Sequence, residues 1–594
     1  MDSPPPRSSS PKPPNNLSHG VPKDWKFWCI IFSLALSVLL TAIEFTSIGA
    51  ALPTITRSLK GEQFVWVGSA YALGSTALVP LCGGLSQVLF ISFANAEEIA
   101  HYVTFTPKII GRRPIMLSAI LLFSLGSTIC GAASSMNMLI AGRGVQGLGA
   151  GAITSSVQIM LSDLVTLRER GTFSGLMALS WAIGGGVGPV IGGSLAQSGK
   201  WRWLFYLNLP ICAFNATMVL LFLRLKTPPA TLREKLSKMD MIGNLLVTGS
   251  TTSVVIGLTW GGVQYPWSSG RVLSPLVIGL IGLVVFVIYE IYFCKPPVVS
   301  PFADSRQFFS IGFNIPLKVP IVMRMDWTGA SGYLQNFLMA VVLATLSYWF
   351  AVFFEACKDK SPSAAGVDLF GLSYSISLIA IVAGIAVKKT GKYLAPIYIG
   401  WMFTVIGAGL LTTLRADSSL AKSIGFQLVI GGGIGIIYVV TLFPILASIP
   451  VTQSAPAMAL YVFSRNFGYI WGVTAGGAII QNELKRNLPA SFLAQFPQGV
   501  EIAFETIPTI PSLKQPLKDA VRNTFGIALK VVWQLVLGVA IAGFICSIGM
   551  KQLQLHTQID EDWGREDLPV DHRWSQTASK LTQQTESVKE ARSA

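Results

Sequence analysis

Apolar stretches long enough to cross a bilayer follow one another along nearly the whole chain. They fall at about 28–51, 65–90, 114–133, 137–160, 173–196, 203–224, 241–262, 271–294, 332–355, 367–388, 395–414, 424–447, 456–480 and 527–549. Each matches the ~20 residues that an α-helix needs to span ~30 Å of hydrocarbon. Lipid offers no hydrogen bonds, so a spanning segment must satisfy its own backbone, and a helix does this alone. The expected fold class is an all-α polytopic membrane protein with about 14 transmembrane helices. The charge content agrees: 12% of the 594 residues are Asp, Glu, Lys or Arg, against roughly 25% in a soluble protein.

Lys and Arg set the orientation. With the N-terminus inside, the short inner segments carry about 21 of them and the short outer loops about 9. Cytoplasmic loops hold the excess, so both termini are expected in the cytoplasm. The net charge of +15 is spread over many loops and forms no aromatic-interleaved basic patch, which argues against a nucleic-acid partner. Residues 1–24 are rich in Pro and Ser and are expected to be a disordered tail, like the charged stretch 551–594. The first apolar run starts too late and is too long for a signal peptide. The seven cysteines lie in or beside apolar runs without CxxC spacing, and the four histidines lie outside them. Neither a disulfide framework nor a metal site is expected. No P-loop and no Ser/His/Asp cluster is present. The reading is a protein that is not an enzyme and has no cofactor.

Within run 173–196 stands Gly184-Gly-Gly-Val-Gly-Pro-Val-Ile-Gly-Gly193. Each Gly costs a helix about 1 kcal/mol in water and a Pro about 3 kcal/mol. In a membrane the composition is useful. Gly184, Gly188 and Gly192 recur every fourth residue, line one helix face and admit a neighbouring backbone at close range. Pro189 removes one backbone hydrogen bond and can bend the helix. A plain packing face would use the same spacing.

Charges inside spans are costly and are functional candidates by default. Glu44 in run 28–51 lies about 24 Å from the inner end at 1.5 Å per residue. Arg143 in run 137–160 lies about 9 Å from the outer end. Both fall in the outer half at similar depth, so they can share a polar cavity. A carboxylate there can take and release a proton as the cavity changes sides, or the pair can be static and fix helix packing. Gln146, one turn from Arg143, can hydrogen-bond in the same place or serve packing.

These segments resemble the major facilitator superfamily, in particular the fourteen-helix drug–proton antiporter branch of fungal type. Gly184–Gly193 is similar to that branch's antiporter motif, and Arg143-Gly-Val-Gln-Gly-Leu-Gly149 to the motif it associates with proton coupling. Glu44 with Ala51-Leu52-Pro53, Trp201-Arg-Trp-Leu-Phe-Tyr-Leu-Asn-Leu-Pro210, Trp260-Gly-Gly-Val-Gln-Tyr-Pro-Trp267 and Ala330-Ser-Gly-Tyr-Leu-Gln-Asn336 resemble further segments of it. The resemblance covers roughly residues 25–550. It implies two six-helix halves, 25–224 and 330–550, the second with a long outer loop at 481–526. An extra helix pair at 241–294 would lie between them. It also implies proton-driven efflux of small amphipathic drugs, toxins or secondary metabolites by alternating access, from a monomer in the plasma membrane. Proton-coupled uptake of a nutrient or siderophore is the second transport reading. A non-transporting sensor or inactive gene product is a third.

One family motif is interrupted. The inner-gate pattern G-x-L-x-D-x-x-G-R-R is split into Gly83-Gly-Leu-Ser-Gln87 and Ile109-Ile-Gly111-Arg112-Arg113, with Gln87 where the family has Asp. The 21 residues from Val88 to Lys108 correspond to 63 nucleotides whose ends can read GT and AG. They are read as a retained intron, the alternative being a genuine loop insertion. Val299 to Lys318 has the same Val and Lys ends, and its removal would join Pro297-Val298 to Val319-Pro320.

Overall fold

The computed structural model describes residues 23–59, 65–77, 79, 112–225, 241–261, 265–292, 327–449, 454–489, 492 and 507–555. Most of the terminal segments 1–24 and 551–594, both candidate insertions 88–108 and 299–318, and part of the loop 481–526 lie outside the described residues.

The described residues are almost entirely helical, with an isolated bridge between Gly261 and Tyr265 and no extended strand among them. The helices are α1 (Trp25–Leu59), α2 (Val65–Ala77), α3 (Arg112–Gly131), α4 (Met136–Leu164), α5 (Leu167–Gln197), α6 (Trp203–Tyr206) and α7 (Asn208–Phe222). Then come α8 (Met241–Trp260), α9 (Gly270–Tyr292), α10 (Trp327–Lys358), α11 (Pro362–Asp368), α12 (Phe370–Thr390) and α13 (Leu394–Leu411). The last are α14 (Leu420–Val440), α15 (Leu442–Ala447), α16 (Ser454–Asn487) and α17 (Leu517–Ser547).

Among the described residues, 9 helices or joined helix pairs are long and apolar enough to cross a membrane. The other apolar runs also hold helices, and the reasons they fall short differ. α8 and α9 have apolar cores of reduced length, Leu245–Leu258 and Gly270–Phe286. α4 is long, but it carries Arg143, Gln146, Ser155, Gln158 and Asp163 on its buried face. Its polarity is thus turned inward, where hydropathy counts it against the span. The outer surface is the reverse. Leu121, Ile278, Ile281, Val284, Val382 and Ile545 are exposed large apolar side chains. In water such a surface would be an aggregation hazard, and in lipid it is the solvated face. The protein is a multi-pass membrane protein.

Helix packing follows one scheme twice. α1 packs on α5 and α7, α4 on α2 and α3, and α3 on α7. Likewise α10 packs on α16 and α17, α14 on α12 and α13, and α13 on α17. The two sets meet where α5 lies along α12 and α4 touches α16. The α8–α9 pair leans on α2 and α16.

Candidate transport site

Glu44 and Arg143 meet inside the first set of helices. Arg143 Nη1 donates to Glu44 Oε1 at 2.5 Å, with side chains 1% and 0% exposed. Glu44 Oε2 accepts from Asn208 Nδ2, also at 2.5 Å, so each carboxylate oxygen has a donor. The guanidinium is fixed from three further sides. Nη1 also donates to Gln146 Oε1 at 2.8 Å, Nε donates to the Val67 carbonyl at 3.0 Å, and the Tyr71 ring lies 4.2 Å from Cζ. Gln146 Nε2 in turn donates to Ser127 Oγ at 2.7 Å. α1, α2, α3, α4 and α7 therefore all reach one ion pair. A charge pair buried this deeply needs such a shell, because the desolvation cost of each ion can exceed their mutual attraction.

Asn208, Ser127 and Tyr71 are absent from a reading that looks only for charges. Asn208 stands inside the quoted stretch Trp201–Pro210. A neutral amide in a span is a weaker signal than a carboxylate, and its contact with Glu44 joins residues 164 apart in the chain.

The glycine face of α5 lies on α1. A Cβ added at Gly184 would stand 2.6 Å from the Ala42 Cβ, and one at Gly188 or Gly192 would collide with Thr46 Oγ1 or the Ser47 carbonyl. The Thr46 hydroxyl sits between the Ala42 carbonyl (2.8 Å) and the Gly184 carbonyl (3.3 Å), tying the two backbones together. The same segment also reaches the second set of helices. Gly193 lies against Ser363, and Pro189 against Gly366, where an added Cβ would be 2.6 Å from the proline Cβ. This stretch thus touches α1 on one face and α11 on another.

At its other end α5 closes on α12. Gly171 and Gly384 abut, so a Cβ on Gly171 would stand 3.1 Å from the Gly384 Cα. Beside them Glu169 Oε1 accepts from both Lys388 Nζ (2.7 Å) and Lys23 Nζ (2.6 Å). Arg168 donates to the Lys388 and Lys389 carbonyls at 2.6 and 3.2 Å. In sequence these cations serve as orientation signals. Their role as a clasp depends on Glu169, an acid lying between two arginines and easily read as part of a solvated loop.

Gly83, Gln87 and Gly111 of the interrupted motif lie outside the described residues. Arg112 opens α3 and donates through Nε to Asp163 Oδ2 at 2.9 Å, both side chains being buried. Arg113 donates to the Leu220 carbonyl of α7. Both arginines thus bind within the first set of helices, whereas the contact across to α12 is made by Arg168 and Glu169.

A lipid-facing helical bundle packed by one scheme twice, with an ion pair sealed inside it and close-packed seams between the two sets, defines a membrane transporter. The chain belongs to the Major Facilitator Superfamily, which matches it over residues 34–473. It is 35% identical over 94% of its length to the efflux pump FUS6 of Gibberella moniliformis, covering 92% of that protein. It is 31% identical over 92% of its length to the Acurin A biosynthesis cluster MFS-type transporter of Aspergillus aculeatus, covering 94% of it. Among solved structures, the human organic anion transporter MFSD10 matches 87% of this chain and 100% of its own, with a TM-score of 0.50 and 13% identity, a likeness of fold.

Proposed function

We propose that this protein is a proton-driven exporter of small amphipathic molecules (drugs, toxins or secondary metabolites) working by alternating access. Fourteen membrane helices would form two six-helix halves, 25–224 and 330–550, with the pair at 241–294 between them. Both termini would be cytoplasmic, and the protein would act as a monomer in the plasma membrane. The repeated packing scheme supports the two halves. The names of the relatives, an efflux pump and a biosynthesis-cluster transporter, support the direction of flux. Segment 88–108 would be a retained intron, the alternative being a genuine loop insertion, and 299–318 a second insertion with the same Val and Lys ends; transcript sequencing across both would test this.

The observation that carries the mechanism is the buried Glu44–Arg143 pair. A proton arriving from outside neutralises Glu44 and ends its attraction to Arg143. Asn208 can serve both protonation states. It now donates to the carboxylate through Nδ2, while its Oδ1 is buried and accepts nothing. A half-turn of the amide would present that oxygen to the O–H of a protonated Glu44. With the pair loosened, the halves rock. The glycine seam of α5 on α1 and α11, and the clasp of α5 on α12, open and close on opposite sides. Substrate leaves outward and the proton inward.

The test uses proteoliposomes with an imposed pH gradient and a neutral fluorescent substrate. Glu44→Gln should abolish gradient-driven transport while leaving probe binding within about twofold. Gradient-driven transport at the wild-type rate in Glu44→Gln would overturn the assignment.

A further inference from the structure

The described residues contain four buried arginines: Arg112, Arg143, Arg170 and Arg465. Three have a carboxylate close by. Arg112 pairs with Asp163, Arg143 pairs with Glu44, and Arg170 lies in the field of Asp163. Arg465, on α16, differs. Its Nε donates to Asn336 Oδ1 at 3.1 Å, and its Nη2 donates to the Tyr438 carbonyl at 3.0 Å and to the Tyr461 hydroxyl. Two tyrosine rings flank the guanidinium, Tyr438 at 3.9 Å and Tyr461 at 4.6 Å from Cζ. All these partners are neutral, and no ion pair among the described residues includes Arg465.

Neutral oxygens and ring faces orient a guanidinium and leave its charge in place. A net cation inside a membrane bundle is expensive, and one with no internal counter-charge marks a place where charge is supplied from elsewhere. The surroundings show where that could be. The next residue, Asn466, reaches across to the Ser75 carbonyl of α2 at 3.5 Å, so this stretch borders the seam between the two sets of helices. Tyr438 and Tyr469, both neighbours of the guanidinium, are only partly buried. A fork of N–H donors matches a carboxylate, and the tyrosines offer flat apolar surface beside it.

We propose that Arg465 is the recognition point for an anionic substrate, an amphipathic molecule bearing a carboxylate, whose charge neutralises the guanidinium while its apolar body lies on the tyrosine rings. The proposal rests on the export reading and gives it a substrate class. It also separates the two charges in space. Arg465 lies nine residues into the apolar run 456–480, and Glu44 sixteen residues into the run 28–51. In the proposed orientation both runs start at the cytoplasmic side, so the anion site is the nearer to that side by roughly 10 Å at 1.5 Å per residue. Substrate would thus load on the cytoplasmic side of the group that receives the external proton.

The test is equilibrium binding of a matched probe pair, 1-pyrenebutyrate and its uncharged methyl ester. The purified full chain would be held in nanodiscs of phosphatidylcholine, with empty discs subtracted. Wild type should bind the carboxylate at least about tenfold tighter than the ester, the value of one charge-assisted hydrogen bond. Arg465→Gln should abolish the preference by weakening the carboxylate alone, and Arg465→Lys should keep part of it. Equal affinity for the two probes in wild type, no binding of either, or an equal loss of both in Arg465→Gln would overturn the proposal. Because the first comparison needs no variant, misfolding of Arg465→Gln leaves the test intact. The export reading is judged separately, by movement of the ester down an imposed pH gradient. An exporter that moves the ester but lacks the anion preference removes this inference alone. A chain that prefers the anion but moves neither probe removes the export reading and keeps the site.

Discussion

Arg143 and Arg465 are both buried arginines held over a tyrosine, with Cζ 4.2 Å from the Tyr71 ring and 3.9 Å from the Tyr438 ring. Each donates to a side-chain amide oxygen and a backbone carbonyl. They part at the remaining acceptor. Arg143 has the Glu44 carboxylate, and Arg465 has the hydroxyl of Tyr461. The first guanidinium therefore has an internal counter-charge and the second has only neutral partners. In the proposed mechanism a proton on Glu44 changes the balance of the first, and a bound anion completes the second, on helices of different sets.

The difference should appear first in stability. Arg143→Leu strands a buried carboxylate, and breaking such a pair costs about 3–5 kcal/mol. Adding Glu44→Gln should restore most of the loss in thermal unfolding of the purified protein, without restoring transport. Arg465→Leu strands only neutral acceptors, a loss of about 1–3 kcal/mol, and at the same time removes the cost of an unpaired buried cation, so its net loss should be smaller than that at Arg143, with no comparable rescue by a neutral change at Asn336. Equal losses at the two arginines, or no rescue at the first, would erase the distinction.

The seams come next in size. Gly188→Leu forces a side chain into Thr46 on α1. Overpacking of this kind costs about 1–3 kcal/mol, and transport should fall at both sites' expense while probe binding at Arg465 survives. The clasp is the weakest element. Lys388 is 41% exposed in its pairing with Glu169, and pairs of that kind contribute about 0.2–1 kcal/mol. Glu169→Gln should therefore raise the labelling rate of a cysteine placed at the buried Ser377 by no more than about fivefold. High salt should narrow the difference by screening the clasp. A larger rise would make the clasp a principal gate.

The helices were legible because lipid demands long apolar runs, and Glu44 and Arg143 because charge inside such a run is costly. Arg465 lies in run 456–480 and obeys the same rule. What distinguishes the site is visible only in the structure: among the described residues no carboxylate pairs with Arg465. The Asn208 contact and the Glu169 clasp join residues 164 and 219 positions apart. Nothing in local composition announces such meetings. The interrupted motif shows the opposite limit: Arg112 and Arg113 stand out in the sequence, yet their partners, Asp163 and the Leu220 carbonyl, lie within the same set of helices.

Substrate-linked proton release tests most directly whether Glu44 is the group exchanged for substrate. Purified protein in weak buffer with a pH-sensitive dye would be mixed with 1-pyrenebutyrate over a series of starting pH values from neutral into the acid range, since only protein in which Glu44 carries a proton has one to release. The exchange mechanism predicts that wild type releases protons as the probe binds, and that Glu44→Gln binds the probe but releases none. Equal release from Glu44→Gln and wild type would contradict it, since the proton would then come from another group.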